Sequence, residues 1–151
     1  VLFGPDGGLL RVLADVTRMP VVPLFGQGRT RLQPVHVEDV ARAAAAAAEP
    51  TDVDVTGETL ELGGADVLTY REIVERVLAH LGRRRLLVPV PFAAWHVLAR
   101  LVRPLPSPPI TRDQLVLMAS DNVAAPPGFR ALGIRPRGLL ESLPACLDRR
   151  A

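Results

Sequence analysis

A short apolar run, Val1 to Phe3, is stopped by Gly4-Pro5-Asp6-Gly7-Gly8, the pattern of a buried strand entering a loop. Leu9, Leu10, Val12, Leu13 and Val16 then recur at helical spacing, predicting a helix that closes before Met19-Pro20. Val21 to Phe25 and Arg31 to Val37 are extended apolar-rich segments on either side of Gly26-Gln27-Gly28. Glycines there can supply the positive φ of a tight turn, so the spacing predicts a hairpin. The same Gly-Gln-Gly could be a phosphate loop, but no helix start follows it directly. Asp39 precedes the run Ala43 to Ala48 and is placed to cap a helix packed closely on a sheet.

Glu49 to Gly57 reads as a polar loop, and Glu58 to Leu62 alternates like a strand before Gly63-Gly64. Thr69 and Glu72 form a Thr-x-x-Glu capping box. Behind it Tyr70, Ile73, Val74, Val77, Leu78 and Leu81 make an unbroken apolar stripe that ends at Gly82. Leu86 to Val90 reads as a strand, and Pro91 suits the first turn of a helix from Phe92 to Val102. Pro104 to Pro109 is a stiff connector. Thr111 and Gln114 repeat the capping pattern for a helix to about Ser120, Gly133 and Pro136 end a helical turn, and Arg137 to Leu147 gives a last helix broken near Pro144.

Composition narrows the chemistry. The 151 residues are 48% hydrophobic and 23% charged, which is globular and long enough for a real core. All 18 basic residues are Arg. Without Lys, no Walker phosphate loop, pyridoxal Schiff base or Tyr-x-x-x-Lys reductase pair is complete in this chain. The net charge of +2 is small and Arg is spread along the sequence, so a nucleic-acid footprint is not expected. Cys146 is the only cysteine and His36, His80 and His96 lack ligand spacing, so neither a disulfide nor a metal centre is indicated. Asp52 and Asp54 read as solvated acids. No apolar run reaches the roughly 20 residues of a membrane-spanning helix, and no signal peptide is expected from Val1-Leu-Phe-Gly-Pro5.

Three segments in order, Val1-Leu-Phe-Gly-Pro5, Pro34-Val-His-Val-Glu-Asp-Val-Ala41 and Glu58-Thr-Leu-Glu-Leu-Gly-Gly64 followed by Leu68-Thr-Tyr-Arg-Glu72, resemble successive segments of extended short-chain dehydrogenase/reductases. Val21 to Pro34, Arg83 to Pro91 and Leu132-Gly-Ile-Arg-Pro136 are similar to the atypical branch that contains the NAD(P)H-binding accessory subunit of respiratory complex I. The resemblance covers nearly this whole chain but only the second half of a typical member. It implies an α/β fold, the incomplete C-terminal part of a Rossmann-type doubly wound parallel sheet plus a small, mostly helical substrate lobe. Residues 1–62 would finish the Rossmann domain with a hairpin insertion at 21–37, and residues 63–151 would form most of the lobe.

The cofactor implied is NAD or NADP, bound by a full-length parent whose Gly-rich turn and Tyr-Lys pair would lie upstream of Val1. No catalytic residue is assigned to this chain. Val1, Leu2 and Phe3 would pass beside the nicotinamide, though they could equally be only the buried end of a strand. Arg29, Arg31 and His36 are the candidate substrate contacts; the alternatives are solvated arginines and a satisfied strand histidine. Two residues apart on a strand, the arginines would share a face. Leu32 stands where sugar-nucleotide epimerases of the wider family carry a phosphate-binding Arg, and that departure puts such a substrate in doubt.

Tyr70 is not the reductase Tyr, since position 74 is Val. Arg83 to Arg85 sits at a helix end, where the dipole explains it. Trp95 and Phe92 could anchor a partner or fill the lobe's core. Partners implied are a nicotinamide dinucleotide, with respiratory complex I or a membrane surface as further candidates, and no nucleic acid. The implied location is cytoplasmic, or peripheral on the inner face of the respiratory membrane. An isolated fragment is expected to be poorly soluble through its uncovered strands.

Overall fold

The computed structural model describes residues 1–48, 55, 57–104, 112–125 and 128–148. The expected loop from Glu49, including Asp52 and Asp54, the proline connector and the Thr111 cap lie largely outside them. The chain runs β1 (Leu2–Gly4), β2 (Gly7–Gly8), α1 (Leu9–Val16), β3 (Val21–Phe25), β4 (Arg31–Leu32), β5 (Val35–His36) and α2 (Val37–Ala48). It continues through β6 (Leu68–Thr69), α3 (Tyr70–His80), β7 (Leu86–Val90), α4 (Phe92–Val102), α5 (Arg112–Ala119), α6 (Gly128–Ala131) and α7 (Leu139–Leu147).

Three small sheets organise these elements. β1 pairs parallel with β5, Leu2 opposite Val35 and Phe3 opposite His36, while β2 pairs antiparallel on the other side of β1. This β1–α1…β5–α2 arrangement is the Rossmann-type part. β3 pairs parallel with β7 from Val21↔Leu86 to Phe25↔Val90, and β4 pairs antiparallel with β6. The predicted hairpin over 21–37 therefore does not form. Gly26 and Gly28 do adopt positive φ, 54° and 72°, but the turn feeds the chain to the start of α3. There the Arg71 N–H donates to the Gly28 carbonyl at 3.0 Å and the Tyr70 N–H to Thr30 at 2.9 Å. Val22 and Leu24 are fully buried, and β7 supplies a strand of matching length, which the two-residue β4 cannot.

The main core joins Leu10 and Leu13 of α1 to Val22 and Leu24 of β3, the α3 stripe Ile73, Val74, Val77 and Leu78, and Leu139, Leu143 and Cys146 of α7. Both halves of the α3 capping box are made: Thr69 Oγ1 accepts from the Glu72 N–H, and Glu72 accepts from the Thr69 N–H at 2.7 Å. Arg83 and Arg85 cover the end of α1 rather than their own helix, Arg83 donating to the Ala14 carbonyl at 2.9 Å and Arg85 to Thr17 at 3.2 Å. The dipole argument holds for a different helix.

Three further expectations change. Residues 58–62 form no strand; the Glu61 carbonyl instead accepts from the Gly128 N–H at 2.9 Å and its carboxylate from the Ala125 N–H at 2.7 Å. Pro91 is the residue before α4, not inside it. Pro144 lies within α7 without ending it. Trp95 is core: its indole N–H donates to the Leu24 carbonyl at 3.2 Å, and its ring lies 4.7 Å from that of Phe25, which in turn meets Tyr70 at 5.3 Å.

Candidate functional site

Ligands of open parallel sheets bind beyond the carboxyl ends of the strands, so the end of the β1–β5 pair is the place to inspect. β1 finishes at Phe3-Gly4 and β5 at Val35-His36. Phe3 is buried, and its ring stands edge-on to His36 with centroids 5.3 Å apart. A Cβ on Gly4 would come within 2.7 Å of Val37, so only glycine lets the strand pass the start of α2 at this spacing. Val1 and Leu2 are exposed, at 40% and 50% of their surface, which leaves two apolar side chains uncovered beside this edge.

His36 is buried, and its Nδ1 accepts from the Glu38 N–H at 3.2 Å. That bond requires Nδ1 to be bare, so the neutral ring carries its proton on Nε2.

Asp39 lies in the first turn of α2 and is not its cap. Its carboxylate has no exposed surface and accepts from the Arg42 guanidinium, from the Arg137 backbone N–H at 2.7 Å and from Arg137 Nε at 3.1 Å. Burial alone would raise its pKa, but the Arg137 N–H and the two guanidiniums outweigh it and hold the carboxyl below its ordinary value. Arg137 also reaches Glu38 at 2.7 Å. The first turn of α2 is thus pinned to the loop before α7.

A second set of ties holds the segment before His36. Gln33 donates to the Gly64 carbonyl at 2.8 Å and accepts from the Ala124 N–H at 2.9 Å, and a Cβ on Gly64 would overlap the Pro34 carbonyl. Gly64 is glycine because the Pro34–Val35 backbone lies against it, whereas Gly63 faces the Gln33 side chain.

The predicted arginines separate. Arg31 is held by Asp121, which accepts from its backbone N–H at 2.7 Å and from Nε at 2.8 Å. Arg29 precedes the strand and lines a different feature, a cavity of about 340 Å³ bounded also by Gln27, Gly28, Thr69, Arg71 and Pro89. Gly28 is required there, since its φ is positive and a Cβ would press on Arg71 at 3.0 Å. Among the described residues the Arg71 guanidinium has one ion pair, a long one of 3.8 Å with Glu75. This cavity is lined by two arginines and the Gln27 amide, a set suited to an anionic or hydroxylated ligand, while the Thr69 hydroxyl at its wall donates to the Glu72 carboxylate. Arg71 was not singled out from sequence; its only signal was its place two residues after Thr69.

Leu32, one residue beyond Arg31, is fully buried in the main core. Tyr70 is buried too, and desolvation pushes its phenol up to about 12, so it stays protonated at neutral pH. The Arg29–Arg71 cavity is not lined by Val1, Leu2, Phe3 or His36. Among the described residues no cluster of three His, Cys, Asp or Glu could hold a metal ion, and no helix is long and apolar enough to cross a membrane.

With this geometry in place, known proteins give a consistent answer. No family model matches the chain. NADH dehydrogenase [ubiquinone] 1 alpha subcomplex subunit 9, mitochondrial, of Arabidopsis thaliana is 35% identical over 119 residues, which cover 73% of this chain and 29% of that protein. The chain belongs to the extended or atypical short-chain dehydrogenase/reductases. The fold agrees: Thermus thermophilus UDP-glucose 4-epimerase in complex with NAD superposes with a TM-score of 0.64 at 21% identity, covering 97% of this chain and 43% of that one. The dTDP-glucose 4,6-dehydratase of Bacillus anthracis, also in complex with NAD, gives 0.63 at 17% identity, covering 98% and 41%. This short-chain dehydrogenase segment spans under half the length of the solved relatives and under a third of the plant subunit.

Proposed function

We propose that the full-length protein binds NAD or NADP without turning over a sugar nucleotide, as an accessory subunit associated with respiratory complex I on the inner face of its membrane. Residues 1–62 complete the Rossmann domain, with 63–151 forming most of the small lobe. Val1, Leu2 and Phe3 line the nicotinamide side of the cleft. Phe3 supports that role by its position at the carboxyl end of the parallel pair beside His36, with Leu2 and Val1 leading into it from the start of β1. Arg29, with Arg71, is the better-supported substrate-side contact, because Arg31 already has a carboxylate partner.

The observation that carries the reading is Leu32. An apolar side chain with 1% of its surface exposed offers nothing to a nucleotide phosphate, and the neighbouring cation is committed to Asp121. The plant relative, at 35% identity, points the same way. Bound NAD or NADP would supply hydride chemistry. This chain's residues would wall the ring on one side, exclude water with Phe3 and hold His36 in its Nε2-protonated form.

The test is nucleotide titration of the full-length protein followed by assay with UDP-glucose and dTDP-glucose. Stoichiometric NAD(P)H binding without turnover is expected. Robust epimerisation or dehydration would overturn the reading in favour of an active oxidoreductase, epimerase or dehydratase.

A further inference from the structure

Helix α4 carries three stripes. Trp95, Ala99 and the half-buried Phe92 and Val102 face inward. Val97, Leu98 and Leu101, at 60%, 42% and 71% exposure, form an apolar stripe with nothing of the described chain covering it. His96, Arg100 and Arg103, spaced i, i+4, i+7, form a basic stripe between them.

Helix α5 packs beside α4 through Leu115. It adds Arg112 to the basic stripe and exposes Val116 and Leu117, at 62% and 59%. Among the described residues, His96, Val97, Arg100, Arg103 and Arg112 line a cavity of about 400 Å³. Among the described residues the three arginines make no hydrogen bond or ion pair. Residues 104–111, which join the two helices, contain no acid at all.

We propose that this α4–α5 face docks on an anionic phospholipid surface, with Arg100, Arg103 and Arg112 holding headgroup phosphates and Val97, Leu98, Leu101, Val116 and Leu117 entering the acyl boundary. Charge complementarity selects the occupant. Three clustered guanidiniums, with no carboxylate among the described lining residues and Asp113 outside the lining, suit anionic oxygens, and a flanking apolar stripe suits a solvent that takes both, which is the membrane interface. At 11 residues α4 is too short to span a bilayer and suited to lie along it. The inference rests on the membrane-associated reading above and specifies which surface makes the contact.

The full-length protein is tested by flotation with vesicles of phosphatidylcholine alone and of phosphatidylcholine mixed with phosphatidylglycerol. Binding is expected only to the mixed vesicles and should weaken as salt rises. Each juxtamembrane cation contributes about fivefold in affinity, so Arg100→Gln, Arg103→Gln and Arg112→Gln combined should weaken binding on the order of a hundredfold. Arg103→Gln alone, about fivefold, serves if the triple variant does not fold. Leu98→Ser with Leu101→Ser should weaken binding while keeping its salt dependence, and Arg11→Gln on α1 should leave it unchanged.

Absence of vesicle binding, equal binding to both vesicle types, or full binding by the folded arginine variants would overturn the proposal, the first outcome favouring an acidic protein surface as the occupant. NAD(P)H titration of the same samples keeps the two readings apart. Nucleotide binding without vesicle binding overturns only the docking face, and the converse overturns only the nucleotide role.

Discussion

Two sets of arginines in this molecule are used in opposite ways. In the body of the fold, Arg42 and Arg137 converge on one buried carboxylate, Arg31 closes on Asp121, and Arg83 and Arg85 cap the end of α1. On the α4–α5 face Arg100, Arg103 and Arg112 gather without any such partner among the described residues. A composition with 18 Arg and no Lys treats these groups alike. Their partners distinguish a structural cation from one available to a ligand, because a guanidinium already bonded to carboxylate or carbonyl oxygens has little left to offer.

The contrast is broken most severely from beneath the cationic face. Trp95→Ala would remove the ring that packs on Phe25 and donates to Leu24, at a cost of about 4 kcal/mol. Denaturant unfolding of the full-length protein measures this. A folded, equally stable variant would mean that Trp95 serves the surface and not the core.

Next in size is Asp39→Ala, which removes a buried carboxylate that accepts from two guanidiniums and a backbone N–H, costing about 3 kcal/mol. Because the folded pKa of Asp39 is lowered, its stabilisation is complete above the unfolded value of about 3.9 and is lost as pH falls through the folded value. The wild-type and variant stabilities should therefore converge in acid. A gap that stays constant down to pH 2 would count against the ionic account.

Gly64→Ala tests whether the backbone contact with Pro34 is as close as it looks. The added Cβ would have to displace a carbonyl, not a flexible side-chain tip, so about 3 kcal/mol of overpacking is expected. The same displacement would shift Gln33 and the strand carrying His36, so nucleotide affinity should fall with stability. Lost stability at unchanged affinity would detach this tie from the cleft.

These cases also mark what the sequence could and could not disclose. Helix α1, the α3 stripe and its cap, β7 and α4 were legible because each rests on spacing within a dozen residues. Pairing was not legible. Two apolar segments around Gly26-Gln27-Gly28 favour a hairpin locally, but Val22 and Leu24 find their partner strand after α3. Asp39 gave a correct signal, an acid at the start of a helix, and the wrong partner. The N–H it accepts belongs to a residue 98 positions away. Phe3 and His36 were placed at the cleft through resemblance alone, whereas Arg71 became visible only when the α3 cap brought it beside Gly28.

The smallest effect, at the α3 cap, sharpens that distinction between local and distant determinants. Thr69→Ala would delete an acceptor for the Glu72 N–H while leaving the core stripe of α3 intact, a loss of about 1 kcal/mol. The Glu72 carboxyl is held below its ordinary value chiefly by the Thr69 N–H and hydroxyl, so stability from the box is present above the unfolded Glu pKa and fades as pH falls through the folded one. Thr69 also lines the Arg29–Arg71 cavity. If that cavity holds an anionic or hydroxylated ligand, Thr69→Ser should restore both stability and ligand affinity, since it keeps the hydroxyl and loses only a methyl group. Thr69→Ala should lose both. A stability loss with no change in affinity in Thr69→Ala would confine the residue to its local task of starting a helix, leaving Arg29 and Arg71 as the groups that face the ligand.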